Sequence, residues 1–330
     1  MCLSLTYKFG HRILGGTLLG LASMLASAPS FSQAFPERPI SIVVPYAAGG
    51  SSDVVARLLA AKLAEQFGQA VVVENKPGAG STIGTAHAAR RGQGGHLALL
   101  ADNGQTVAPA MYQKLPYDAI NDFWPVGFVG QARAMLFAST ASGLRNVQEL
   151  RERAIKNPKT LTIGTGNGSP SHLISELFQI RANAKLQIVP YKGAAASLND
   201  LLAGHIDLVF TNPASASQYI GTGRINLLGQ SGDQRDPKFP DVPTFKEMGV
   251  NDMNAMYWFA LILPSDTPAD IKARWRKELD IALASPEISA KLTGLGINKV
   301  DMTPDQTQEF IRQEAATWKS VAQSAGLKAN

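Results

Sequence analysis

The chain is poor in the residues that most often do chemistry. Its 330 residues hold one cysteine, Cys2, so no disulfide can form within the chain and no thiol is available further along. Cys2 also precedes the first apolar stretch instead of following it, which is the wrong side for lipid attachment. His87, His96 and His205 have no zinc-ligand spacing, and without cysteines to help, no metal site and no cofactor is expected. No Gly-x-Ser-x-Gly occurs anywhere, so the strand-to-helix elbow of serine hydrolases is missing. There is no run of Lys or Arg and no basic–aromatic stripe, and the formal net charge is only +5. Nucleic acid and anionic membrane surfaces are therefore poor partners. Repeats, low-complexity tracts and long linkers are lacking too.

What is present begins with a leader-like segment. Lys8, His11 and Arg12 precede an apolar, small-residue stretch over 13–28 that Gly15, Gly16, Gly20 and Ser23 interrupt. That stretch is shorter than the ~20 apolar residues of a spanning helix. Ser32, Gln33 and Ala34 put small residues where a signal peptidase reads, which predicts export to the periplasm and cleavage after Ala34. Loss of Lys8 and Arg12 with that segment leaves a net charge of +3, compatible with small anionic ligands.

From residue 40 onward, short β-branched runs alternate with amphipathic stretches, the pattern of an α/β fold with mainly parallel sheets flanked by helices. Strands are predicted at 40–44, 71–73, 97–100 and 135–138, and again at 161–163, 186–189, 206–210 and 225–228, with a further apolar run at 257–263. Helices fill the gaps. Val55, Leu59 and Leu63 form one core-facing stripe and Leu173, Leu177 and Ile180 another. Thr267-Pro268 and Thr303-Pro304 each place a hydroxyl before proline, with Asp270 and Gln306 where a capping box wants them. Trp275 and Trp318 fall on the stripes behind those caps. The two strand series predict two lobes, residues 35–140 plus 255–330 and residues 141–254, joined by crossings near 140 and 255.

Two glycine-rich turns carry the functional signal. In the first, Tyr46-Ala47-Ala48-Gly49-Gly50-Ser51-Ser52-Asp53 follows the first strand and opens a helix. In the second, Gly166-Asn167-Gly168-Ser169-Pro170-Ser171-His172 does the same after the strand at 161–163. Glycines admit close approach of a ligand, and the helix behind them presents unpaired amides and the positive end of its dipole. An anion suits that place, beyond the carboxyl ends of the strands. Ser51 or Ser52 and Ser169 could instead be ordinary helix caps.

Other residues have two readings each. Asp53 either accepts a ligand ammonium or complements its helix's first turn. Asn103 and Thr106 either line the crevice or hold their loop. Lys192 is a candidate cation for a second carboxylate, against the ordinary exposed lysine, and Asn212 stands at the carboxyl end of the 206–210 strand. His172 lies three residues after Ser169, but a helix N-terminus disfavours the imidazolium that a general base must become. The segment 78–84 falls one residue out of register with a dinucleotide fingerprint and reads as a loop leading into a helix.

Several islands in order resemble the Bug, or tripartite tricarboxylate transporter, periplasmic substrate-binding receptors. They are Phe35-Pro36-Glu37-Arg38-Pro39-Ile40, Val44-Pro45-Tyr46-Ala47-Ala48-Gly49-Gly50 with Asp53, Asn75-Lys76-Pro77-Gly78-Ala79-Gly80, and Lys114-Leu115-Pro116-Tyr117-Asp118. Gly168-Ser169-Pro170-Ser171-His172-Leu173, Val189-Pro190-Tyr191-Lys192-Gly193 and Asp241-Val242-Pro243-Thr244 complete the set. The resemblance implies a two-lobed type II binding-protein (Venus flytrap) fold, a small carboxylate held by backbone amides and ordered waters between residues 46–53 and 166–172, and docking of the closed form on membrane permease subunits. A receptor read by a sensor kinase is the alternative, a secreted hydrolase a more distant one, and a monomer the expected state. The chain departs from the family at Ser81, where a glycine is usual, and over Arg91-Gly92-Gln93-Gly94-Gly95-His96. Both departures lie outside the two ligand loops in sequence.

Overall fold

A computed structural model describes residue 6 and residues 35–327, apart from 91, 167 and 192. The leader and its cleavage position lie outside these residues.

The chain first lays down β1 (Ile40–Val44), α1 (Ser51–Phe67), β2 (Val71–Asn75), α2 (Thr82–Ala88), β3 (Leu97–Asp102), α3 (Gly104–Met111) and β4 (Phe123–Arg133). It continues with β5 (Met135–Ser139), α4 (Val147–Lys156), β6 (Thr162–Gly166), α5 (Pro170–Ala182), β7 (Gln187–Tyr191), α6 (Ala194–Ala203), β8 (Leu208–Thr211), α7 (Pro213–Ala216) and β9 (Ile225–Gln230). It ends with β10 (Met256–Pro264), α8 (Ala269–Ala284), α9 (Pro286–Gly294) and α10 (Pro304–Ser324).

The strands form two five-stranded sheets, in the orders β2-β1-β3-β10-β4 and β7-β6-β8-β5-β9. The orders are the same, 2-1-3 followed by one strand entering from the other lobe and then the fourth. Those entering strands, β10 and β5, run antiparallel to both neighbours. The other four strands of each sheet share one direction, which fits the predicted mainly parallel character. Helices cover both faces, so β3 is buried at every residue and β1 at all but Ser41.

The strand at 135–138, expected to close the first series, instead belongs to the second sheet, paired with β8 and β9. Its place in the first sheet is taken by β4, which the sequence reading passed over. Pro125, Gly127 and Gly130 weaken the local signal of a strand there. Each is tolerated there because β4 is an edge strand with irregular register, and at Gly127 an added Cβ would stand 2.8 Å from the Arg276 guanidinium.

The crossings are stapled by Ser231. Its amide donates to the Ala134 carbonyl (2.9 Å), and its Oγ accepts from the Ala134 amide (2.9 Å). Behind them, α10 packs on α3 and β4 and reaches α5, so Val107, Met111 and Trp318 share one apolar cluster with Leu173 and Leu177. Trp275 and Trp318 are buried, as their stripes require.

The two proposed caps diverge. Thr303 forms the full capping box with Gln306, and Pro304 is the first helical residue. Thr267 caps nothing, because α8 starts one residue later than expected and Pro268 itself occupies the cap position.

Candidate functional site

In each sheet the first strand lies between the second and the third, so the connections leaving the first and third strands diverge. A crevice opens at their carboxyl ends. Four turns meet there: those after β1 and β3 from one lobe, and those after β6 and β8 from the other.

The turn after β1 leads into α1 through Gly49, which has φ +88°, and Gly50, the cap residue. No side chain caps α1. Ser52 Oγ donates to Asp102 Oδ2 (2.7 Å), and Ser51 Oγ accepts from Asn212 Nδ2 (2.9 Å). The ordinary capping role open to these serines is therefore not the one taken, and the first-turn amides of α1 keep their free valence toward the cleft. Ala47, Ala48 and Gly49 form an exposed rim, while Tyr46 turns inward and donates to Asp102 Oδ1 (2.9 Å).

Asp53 braces this turn. Its carboxylate accepts from the Gly49 amide, from Arg57 and from Asn75 Nδ2, each at 3.0 Å, and Asn75 also donates to the Tyr46 carbonyl (3.1 Å). Both oxygens are engaged by protein groups, from the turn, from α1 and from the end of β2, so of the two roles weighed for Asp53 the geometry favours the structural one. Burial pushes its carboxyl up, but the bonds from Arg57, the Gly49 amide and Asn75 outweigh this and hold it below the ordinary range. A depressed carboxylate adds stability above its unfolded pKa of ~3.9, and that stability is lost as pH falls through the lower folded value. The stability gap between the protein and Asp53→Asn should thus be largest near neutrality and shrink below pH ~4. Urea denaturation at pH 7 and pH 3 measures it; a gap independent of pH would count against this role.

The turn after β3 holds a residue that sequence reasoning missed. Asp102 is buried and accepts from Tyr46, from Ser52 and from the Gly104 amide (2.8 Å). Burial raises its carboxyl above the ordinary range against the pull of those donors. Burial likewise raises the Tyr46 phenol, with the Asp102 charge adding to it. Asn103 and Thr106 hold their loop: Asn103 donates to the Met256 carbonyl (2.8 Å) and accepts from the Trp258 amide (3.1 Å), and Thr106 Oγ1 donates to the Asn103 carbonyl (3.0 Å). Asn103 thereby fastens the turn to β10, the strand entering from the other lobe, and Thr106 braces Asn103.

In the second lobe, Ser169 precedes α5 without capping it by its side chain, and Pro170 contributes no amide. The Ser169 hydroxyl instead pairs with Ser171 Oγ (2.9 Å), which also accepts from the Gly166 amide (3.2 Å). His172 Nδ1 accepts from the Gly168 amide (3.4 Å), while Nε2 faces Glu176 (3.7 Å). The imidazole is thereby turned to loop and helix and not to Ser169. Asn212 is buried at the end of β8, where Oδ1 caps α7 through the Ser215 amide and Nδ2 makes the bond to Ser51 across the cleft. Asn167 and Lys192 lie outside the described residues.

Near that bond the lobes also approach closely at glycines. A Cβ on Gly80 would stand 2.6 Å from the Gly168 carbonyl oxygen, and one on Gly168 would stand 2.9 Å from the Tyr112 hydroxyl. Next to the first turn is a small pocket bounded by Gly49 and Gly50 on one side and by Leu198, Asn199, Gln218 and Tyr219 on the other. The departure at residues 92–96 sits at the amino end of β3, away from the cleft, where Gly95 accepts from the Trp275 indole (2.9 Å).

Residues 55–327 match the family described as tripartite tricarboxylate transporter family receptor. Among solved structures, the chain is similar to the periplasmic binding protein BugD, with 32% identity, a TM-score of 0.84, and 89% of this chain and 99% of that one covered. It is also similar to R. palustris Rpa4515 with adipate, at 30% identity and a TM-score of 0.85, covering 88% of this chain and 98% of that one. A third likeness is to MatC from Rhodopseudomonas palustris with bound malate, at 27% identity and a TM-score of 0.82, with coverage of 87% and 99%.

Proposed function

The chain belongs to the tripartite tricarboxylate transporter receptor family, whose members are solute-binding proteins and not enzymes, and from that premise we propose that it captures a small carboxylate between its two lobes. The observation that carries this reading is the pair of long helices, α1 and α5, that begin at the cleft from opposite lobes without a side-chain cap. Each offers first-turn amides and a positive dipole end to the same space. Adipate and malate in two similar proteins belong to the class such a place favours.

The closed state is selected because only there does one anion touch both helices. The Asn212–Ser51 bond and the Gly80–Gly168 approach are the contacts that closure brings together. The neutral wall of Leu198, Asn199, Gln218 and Tyr219 is where the remainder of the acid lies, and Lys192 is the cation for a second carboxylate. After export and removal of the first 34 residues, the closed form hands its ligand to membrane permease subunits.

A thermal-shift screen of refolded, ligand-stripped protein tests this, with small carboxylic acids compared against their own amides. An acid at 100 times its dissociation constant adds ~2.7 kcal/mol of stability, and conversion to the amide should abolish the effect. Stabilisation by neutral compounds alone would overturn the carboxylate reading.

A further inference from the structure

The polar side chains around the two carboxylate turns are already engaged. Ser51 and Ser52 are bonded to Asn212 and Asp102, Asp53 to Arg57 and Asn75, and Ser169 to Ser171. Ser81, set apart in the sequence as a departure, is buried beside the Tyr46 hydroxyl. These groups shape the place that holds a carboxylate and leave little with which to read the rest of a ligand.

The pocket beside Gly49 and Gly50 differs on that point. Two helical faces of the second lobe border it. Ala195, Leu198 and Asn199 lie at i, i+3 and i+4 on α6, and Ser215, Gln218 and Tyr219 repeat the spacing where the chain leaves α7. The chain still winds helically there, since the amides of Tyr219 and Ile220 both donate to the Ala216 carbonyl (2.9 and 3.3 Å). Leu198 is buried and gives the pocket an apolar floor. Tyr219, with the Arg224 guanidinium 5.6 Å from its ring centre, gives it an aromatic wall.

Asn199 and Gln218 are exposed, and their carboxamides take no hydrogen-bond partner among the described residues. A free carboxamide is ordinary on a surface, but these two border one pocket, and Gly50 joins that pocket to the uncapped start of α1. A ligand held there by its carboxylate extends along them. Its entry takes water from both amides. An alkyl end returns no hydrogen bond in exchange, whereas an amide or hydroxyl end does.

We propose that Asn199 and Gln218 are specificity-determining residues that hydrogen-bond the far end of the ligand, so that the cleft prefers acids ending in a hydrogen-bonding group to acids of the same shape ending in an alkyl group. This rests on the carboxylate reading above and leaves the reading of charge to Lys192.

The test is calorimetric titration of shape-matched pairs in which an amide end stands against an isopropyl end: succinamate against 4-methylpentanoate, glutaramate against 5-methylhexanoate, and adipamate against 6-methylheptanoate. The wild-type protein should bind the amide member of at least one pair about tenfold tighter, although the alkyl member gains more from burial. The amide is uncharged, so an ion pair with Lys192 cannot supply this preference. The double substitution Asn199→Ala and Gln218→Ala should bring it to within about threefold, the loss falling on the amide while the alkyl acid binds as before. Both positions are exposed, so the ligand-free double variant should melt with the wild type, which separates lost recognition from a damaged fold. Equal binding within every pair, a preference for the alkyl member, or an amide preference that survives the double substitution overturns the role of Asn199 and Gln218 and leaves the carboxylate receptor standing. Binding of none of the six acids overturns it as well, and the carboxylate reading falls with it only if the thermal-shift screen is also empty.

Discussion

Asp102→Ala is expected to cost the fold about 3–5 kcal/mol, the scale for removing one partner from a buried, charged hydrogen-bond network. Three donors converge on this carboxylate, from Tyr46, Ser52 and the Gly104 amide. With the carboxylate gone, all three are left buried without an acceptor, and each carries its own desolvation cost. The damage is also local to function, because these donors belong to the turn after β1, the start of α1 and the start of α3. Asp102→Asn should be much milder, about 1–2 kcal/mol. The amide oxygen can serve Tyr46 and Gly104, and Ser52 can turn to accept from the amide nitrogen. Urea denaturation of the two variants measures the ordering. Equal losses, or a loss below 1 kcal/mol for the alanine variant, would mean that the network is not the keystone of this turn.

Gly80→Ala should weaken ligand binding about 100-fold while leaving each lobe folded. Gly80 has φ +60°, where alanine costs ~1–2 kcal/mol, and that strain is present whether the cleft is open or closed. The larger effect appears only on closure. The new Cβ would stand 2.6 Å from the Gly168 carbonyl oxygen, which belongs to the other lobe. That atom is backbone and cannot rotate aside, so the lobes must stand apart. A closure penalty of ~3 kcal/mol lowers the competent fraction, and with it the apparent affinity, by about two orders of magnitude. Titration of wild type and variant with the best-binding acid of the screen checks this. An affinity within threefold of wild type would show that the glycine contact is not part of the bound state.

Much of the scaffold was legible because local rules and tertiary context agreed. Buried apolar runs such as 40–44 and 97–100 became central strands, and the Thr303 box formed because Pro304 could begin its helix. Where one feature pointed two ways, the reading slipped. Glycine and proline in β4 weaken a strand's local signal, and an edge strand's tolerance of them cannot be seen without its neighbours. The strand at 135–139 was found but given to the wrong sheet, since a chain that crosses between lobes carries no local mark of doing so.

The candidate site divides along the same line. The two glycine turns announce themselves by composition next to a helix start. Asp102, Asn75 and Ser81 do not, because they reach the first turn through the 2-1-3 strand order and not through sequence spacing. Asp102 ends a buried strand and Ser81 follows a glycine loop, so neither pattern signals a shared network. Asn103 and Thr106 lie beyond β3, and only the approach of β10 shows that Asn103 fastens its loop.

The most direct test of the account is a crystal structure of the protein with the acid that best stabilises it. The account predicts one carboxylate group lying within ~2.7–3.1 Å of first-turn amides of both α1, at Ser51 and Ser52, and α5, at Ser171, or bridged to them by a single ordered water. A carboxylate held by one lobe alone, or seated away from both helix starts, would contradict it.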